Sequence, residues 1–198
     1  MMLPEGRAAW RIACVIIPGG RRTALLEAVI LPSVLRESFD EVVVAGSYHD
    51  GAGYRHLPIP DFTKTTNDAL IKRDVGALVT RSDVLVYLAD DHRVGAGFAK
   101  VLADALTTND WDVLVPHRFV QHPSAGVIPL TNGFADGYCG GHGGVFRRWV
   151  VEHVPWCLTP HVNWDLLHSK KQQLAGAKFA QRDGLDIWDV EPNATPWR

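Results

Sequence analysis

Three consecutive positions, Asp90, Asp91 and His92, place two carboxylates and an imidazole side by side in the chain. Adjacent carboxylates repel each other and stay ionised at low cost only when a cation or several hydrogen-bond donors lie between them. A divalent metal is the simplest such cation, with His92 in reach as a nitrogen ligand. A second group is the run Pro18, Gly19, Gly20 and Arg21. Its glycines let backbone approach a phosphate or a base closely, and its guanidinium can pair with phosphate oxygens. The same Gly-Gly pair also suits a plain structural turn. A third candidate is Asp165, near the start of a helical pattern, where a carboxylate suits the helix dipole and caps the helix. Of nine histidines, His92, His142, His161 and His168 fall near these segments. Most histidines in proteins are hydrogen-bonded or surface groups rather than ligands. Lys72 reads as an ordinary solvated lysine.

These groups need a frame, and the apolar runs supply one. Val84 to Leu88 is continuously apolar, the pattern of a strand buried on both faces in a parallel sheet. The acidic pair follows at its carboxyl end, the edge at which open α/β sheets bind ligands. Arg11–Pro18 is a second such strand and Glu41–Ala45 a third, ending in Gly46 and Ser47. Between them Leu25, Leu26, Val29, Ile30, Val34 and Leu35 recur at helical spacing, with Pro32 expected to kink or divide the helix. Tyr48 to Pro60 reads as loop. Thr65, Thr66 or Asn67 can cap a helix carrying Leu70, Ile71, Val75, Leu78 and Val79. Val94–Leu106 is predicted as a helix, Trp111–Pro116 as a strand and Gln121–Gly144 as a long irregular segment of the kind that is often functional. A last helix opens near Asn163 and closes at Gly176, a C-cap residue. Strands alternating with helices predict an α/β fold, with a mostly parallel central sheet flanked by helices.

A chain of 198 residues is about one domain, with enough length to bury a substantial core. With 46% hydrophobic and 21% charged residues it has the composition of a folded globular protein. A net charge of −2 gives no general attraction to nucleic acid or anionic lipid. Three cysteines, Cys14, Cys139 and Cys157, lack C-x-x-C spacing and imply neither a disulfide framework nor a zinc ribbon. The start, MMLPEGR, has no apolar signal core, and no run reaches the roughly 20 apolar residues of a membrane span. A cytoplasmic protein without membrane insertion is the expectation.

The stretch Arg73–Val94 resembles the core of GT-A fold nucleotide-sugar glycosyltransferases, the large family 2 in particular. Arg73 and Gly76 fill an Arg-x-x-Gly helix, and a hydrophobic strand follows. Asp90 and Asp91 hold two of three places in the acidic motif, whose first place is Ala89. The VIIP strand before Gly19 and the segment Val145–Arg148 resemble further family elements. The resemblance implies one Rossmann-like GT-A domain over residues 1–198. It also implies an inverting, Mn²⁺- or Mg²⁺-dependent transfer of sugar from a nucleotide-diphosphate sugar to an acceptor hydroxyl. In this reading Asp91 holds the metal, with His92 or His168 completing its shell. Pro18, Gly19, Gly20, Arg21, Ser47, Arg73, Asp90 and His142 contact the donor, and Asp165 is the base. Departures from the family pattern stand at Ala45 and Gly46, where an Asp usually meets uracil, and at Trp164, where a Glu is usual. The acceptor is left open among a small molecule, a glycan, a protein and a hydroxylated DNA base, the last disfavoured by the charge. Two other readings remain: a sugar-phosphate nucleotidyltransferase, from the PGGRRT turn, and a non-catalytic sugar-binding module, from Ala89 and Trp164.

Overall fold

The computed structural model describes residues 10–18, 23–60, 66–122, 125–130, 143–158 and 164–190. The elements begin with β1 (Ile12–Ile17), a helix built of α1 (Thr23–Leu25), a π-helical turn (Leu26–Ile30) and α2 (Leu31–Leu35), then β2 (Glu41–Ala45) and β3 (Arg55–Leu57). Next come α3 (Thr66–Val79), β4 (Val84–Ala89), β5 (His92–Val94), α4 (Phe98–Ala105) and β6 (Val113–Leu114). A hairpin of β7 (His117–His122) and β8 (Gly126–Leu130) precedes β9 (Gly143–Arg147) and α5 (Arg148–His153). A short 3-10 turn (Trp156–Leu158), α6 (Trp164–Leu174), β10 (Phe179–Ala180) and β11 (Asp186–Asp189) complete the described chain.

Seven strands form one sheet in the order β10-β6-β9-β4-β1-β2-β3. The apolar runs behave as expected: every residue of β1 is buried, and β4 is buried up to its last residue. Alternate residues serve opposite faces. Cys14, Ile16, Val86 and Leu88 pack with Leu26, Ile30, Val34, Phe98 and Leu102, while Val15, Leu85 and Tyr87 pack with Leu70, Ala77, Val150 and Trp156. Helices therefore cover both faces.

The sheet is mixed, which corrects the expectation of a mostly parallel one. β1, β2, β3 and β4 run parallel, but β9 lies antiparallel to both β4 and β6. The pairing of Gly143 with Leu88 and of Arg147 with Val84 shows why. β9 enters at the carboxyl edge of β4, so it has to run back along it.

Four further strands, in the order β5-β11-β7-β8, make a second sheet beyond that edge. It corrects two other expectations. Residues 92–94 pair with β11, which delays α4 to Phe98. Much of the described part of the supposedly irregular 121–144 stretch is the β7–β8 hairpin, with β8 at the sheet edge, where Pro129 is tolerated. Val94 and Ile187 lie in the same core as β1 and β4, so this sheet packs onto the first. On its outer face Arg93 sits 4.7 Å over Trp188, which stacks on Phe119 at 5.0 Å. These cross-strand neighbours cover one another's faces.

Pro32 lies inside the first helix, just after its π-helical turn. A proline has no N–H to give to the preceding turn, and the wider turn accommodates that loss. Gly176 takes φ +89° and closes α6, as expected. No helix among the described residues is long and apolar enough to cross a membrane.

Candidate functional site

The register of the large sheet aligns three strand ends. Ile16 pairs with Val44 and Ile17 with Ala89, so Pro18, Gly46 and Asp90 follow side by side at the carboxyl edges of β1, β2 and β4. Gly46 is needed there. A Cβ at this position would meet Pro18 Cγ at 2.8 Å and Lys72 Nζ at 3.2 Å. Lys72 comes from α3, is buried, and donates from Nζ to the Pro18 carbonyl at 3.2 Å. An ammonium thus underlies the edge where an anion would lie, and the reading of Lys72 as a solvated surface lysine is corrected. Its position four residues before Gly76, on the same face of the helix, was the available signal, because Gly76 faces the sheet. Ser47 continues the edge and is exposed. Beyond it, His49 Nε2 and the Tyr48 hydroxyl both meet Glu27 Oε1, at 2.8 and 3.2 Å. The His49 ring stacks on Tyr48. The backbone carbonyl of Asp50 and the carboxylate of Glu27 raise the His49 pKa, and His49 in turn lowers that of Glu27.

At the end of β4 the chain turns through the acidic pair. Asp90 is buried. Asp91 Oδ1 lies 2.5 Å from His92 Nδ1, and His92 Nε2 lies 2.7 Å from Asp189 Oδ1. Arg118 Nη2 donates to both oxygens of Asp189, at 2.9 and 2.8 Å. Burial disfavours charging His92, but its two carboxylate neighbours, Asp189 and Asp91, outweigh this and raise its pKa. Burial works upward on Asp189, and His92 and Arg118 nonetheless hold its pKa below the usual carboxylate range. Both ring nitrogens of His92, which the resemblance implies as a metal ligand, thus face carboxylates. Asp189 and Arg118 were missed by sequence reasoning. They lie far along the chain, and only strand pairing brings them here.

His168 and Arg73 occupy a different environment. His168 is buried on α6 and stacks on Trp156 at 3.6 Å, while the Arg73 guanidinium carbon sits 5.0 Å over the same indole. Burial first, then the cations Arg73 and Lys171, bring the His168 pKa down to about 3. His168, the other histidine implied as a metal ligand, thus lies beside the cations Arg73 and Lys171. Asp74 accepts from the backbone of Trp156 and Cys157, at 2.9 and 2.8 Å, and ties the indole to α3. Gly19, Gly20, Arg21 and His142 lie outside the described residues. Asp165 falls in the first turn of α6, with its side chain outside them.

The carboxylates of Asp90 and Asp91 are hard oxygen donors of the kind that Mg²⁺ and Mn²⁺ prefer. Among the described residues no group of three His, Cys, Asp or Glu side chains converges to hold a metal. A cation at this turn would draw its remaining oxygens from a bound ligand or water, as Mg²⁺ does with substrate phosphates. The edge as a whole combines an acidic turn, a buried ammonium and backbone kept bare at a glycine. No protein-family model matches the chain, and no curated protein sequence matches it.

Proposed function

We propose that the chain is a GT-A-type glycosyltransferase that moves a sugar, with inversion, from a nucleotide-diphosphate sugar to an acceptor hydroxyl. The observation that carries this reading is the alignment of Pro18, Gly46 and the Asp90–Asp91 turn on three adjacent strand ends, with the Lys72 ammonium beneath. Such an edge suits a ligand that brings both a ring and a diphosphate. Gly46 and Pro18 offer close backbone approach, and Lys72 supplies positive charge near the phosphates. Asp90 and Asp91 would hold Mg²⁺ or Mn²⁺, which when bound offsets charge on a departing diphosphate. In the transfer the acceptor oxygen bonds to the anomeric carbon from the face opposite the diphosphate, whose bond to that carbon breaks. The acceptor's proton passes to the carboxylate of Asp165, the base in this reading. Removing such a base costs about 10²–10⁴ in rate.

A panel of nucleoside diphosphates with and without Mn²⁺, followed by thermal melting, tests the donor site. A ligand at 100 times its Kd adds about 2.7 kcal/mol, which raises Tm by about 5–10 °C for a chain of this size. Asp91→Asn is expected to remove the metal-dependent part of that shift, and Asp165→Asn to spare the shift while abolishing transfer. A panel in which no diphosphate gives a metal-dependent shift overturns the proposal. Pyrophosphate release from a sugar 1-phosphate and a nucleoside triphosphate would establish the nucleotidyltransferase reading instead. Metal-independent sugar binding without turnover would establish the binding module.

A further inference from the structure

The acidic turn is held by a relay that crosses three strands of the second sheet. Arg118 on β7 grips both oxygens of Asp189 on β11, Asp189 meets His92 Nε2 on β5, and His92 Nδ1 meets Asp91 Oδ1. The four side chains are 17%, 18%, 2% and 19% exposed, so bulk water does little to screen them. The His92 ring thus lies between two carboxylates, with Arg118 Nη2 3.4 Å from its Nε2. The backbone repeats the link, because the Val190 amide donates to the Asp91 carbonyl at 2.9 Å.

We propose that Asp189 and Arg118 are positioning residues for the Asp91 carboxylate, acting through His92. With Oδ1 held 2.5 Å from the His92 ring, the direction of Oδ2 is set. Groups behind a ligand of this kind fix its orientation and tune its affinity. The proposal rests on the reading of Asp91 as the cation-side residue of the donor site. It adds that the geometry of that site is dictated from β7 and β11, elements far from the acidic turn in sequence.

The experiment has two arms. In the first, binding of Mn²⁺ in the presence of a nucleoside diphosphate is followed by the loss of the free-Mn²⁺ paramagnetic resonance signal, for wild type, Asp189→Asn and Arg118→Lys. Weakening by about 10–100-fold is expected in Asp189→Asn, with melting showing that the variant is folded. Arg118→Lys keeps the charge but loses the grip on two oxygens, so a smaller loss is expected, and it stands in if Asp189→Asn does not fold. In steady-state assays the Mn²⁺ concentration for half-maximal rate should rise more than kcat falls. The second arm needs no ligand: crystal structures of wild type and variant compare the Asp91 side chain. An Asp91 that leaves its wild-type rotamer supports the proposal, and one that keeps it overturns the proposal whatever the first arm shows. Wild-type protein that takes up no Mn²⁺ with any diphosphate sinks the donor reading instead, so the two failures are distinguishable.

Discussion

His168 and His92 show how two buried imidazoles in one protein can be driven in opposite directions. Burial and the neighbouring cations Arg73 and Lys171 bring His168 down to about 3, whereas carboxylates on both nitrogens raise His92 against the effect of burial. The consequences for stability have opposite signs. The unfolded chain takes up a proton at position 168 near the ordinary histidine pKa, and the native state resists it. His168 therefore costs stability as pH falls below about 6.5, down to about 3, by about 2 kcal/mol at pH 5. His92 contributes stability that is present below the ordinary value and is lost as pH rises through its raised one. Melting His168→Phe beside wild type from pH 8 to pH 4 checks the first claim: the variant should gain on wild type as the pH drops. A difference in Tm that stays constant with pH would show that His168 does not titrate this way. The sequence made both residues visible as histidines near a site but could not separate their environments. What separates them is Trp156 on one side and Asp189 on the other, contacts set by tertiary packing.

At the scale of elements, α3 is the piece on which the site's cations ride. It carries Lys72 and Arg73, and it packs on the sheet through Gly76, where a Cβ would come within 2.5 Å of Val15 Cγ1. Gly76→Ala improves helix propensity by about 1 kcal/mol, while forcing a methyl into a filled core costs about 1–3 kcal/mol. Val15 is β-branched and fully buried, so it has little room to turn aside. The clash should win by about 1–2 kcal/mol, lowering Tm by several degrees. The same variant should bind a nucleoside diphosphate more weakly, because a shifted α3 carries Lys72 away from Pro18. A Tm equal to or above wild type would refute the tight contact. The Arg73-x-x-Gly76 spacing was legible in the sequence, as were β1, β2 and β4, since unbroken apolar runs signal strands buried on both faces. The β7–β8 hairpin and β11 were not legible, for a physical reason. Alternate residues of β7 do face inward, but one of those positions is Arg118, which serves Asp189 rather than the core, and this hides the apolar alternation.

For the molecule as a whole, the question is whether the second sheet is an appendage or part of the same cooperative unit. Val94 from β5, Ile187 from β11 and Leu185 belong to one buried cluster with Ile12, Ile16, Val86 and Leu88 of the large sheet. Ile187 also packs where a side chain on Gly143 would lie, with Cδ1 2.7 Å from that missing Cβ, so β11 rests directly on the start of β9. Regions that open separately have few buried apolar contacts, and these strands do not fit that description. Thermal unfolding should therefore give one transition, with matching midpoints for the near-ultraviolet signal and for the exchange protection of amides in β4 and β11. Ile187→Ala tests the coupling. Truncating this side chain should cost about 2–5 kcal/mol and lower the stability of both sheets together, because the cavity opens at their common boundary. The alternative is a β11 that exchanges or melts at a lower temperature than β4 while the large sheet keeps wild-type stability. That outcome would make the second sheet an independent lid, and the anchoring of Asp91 through Asp189 would then fail below the main transition.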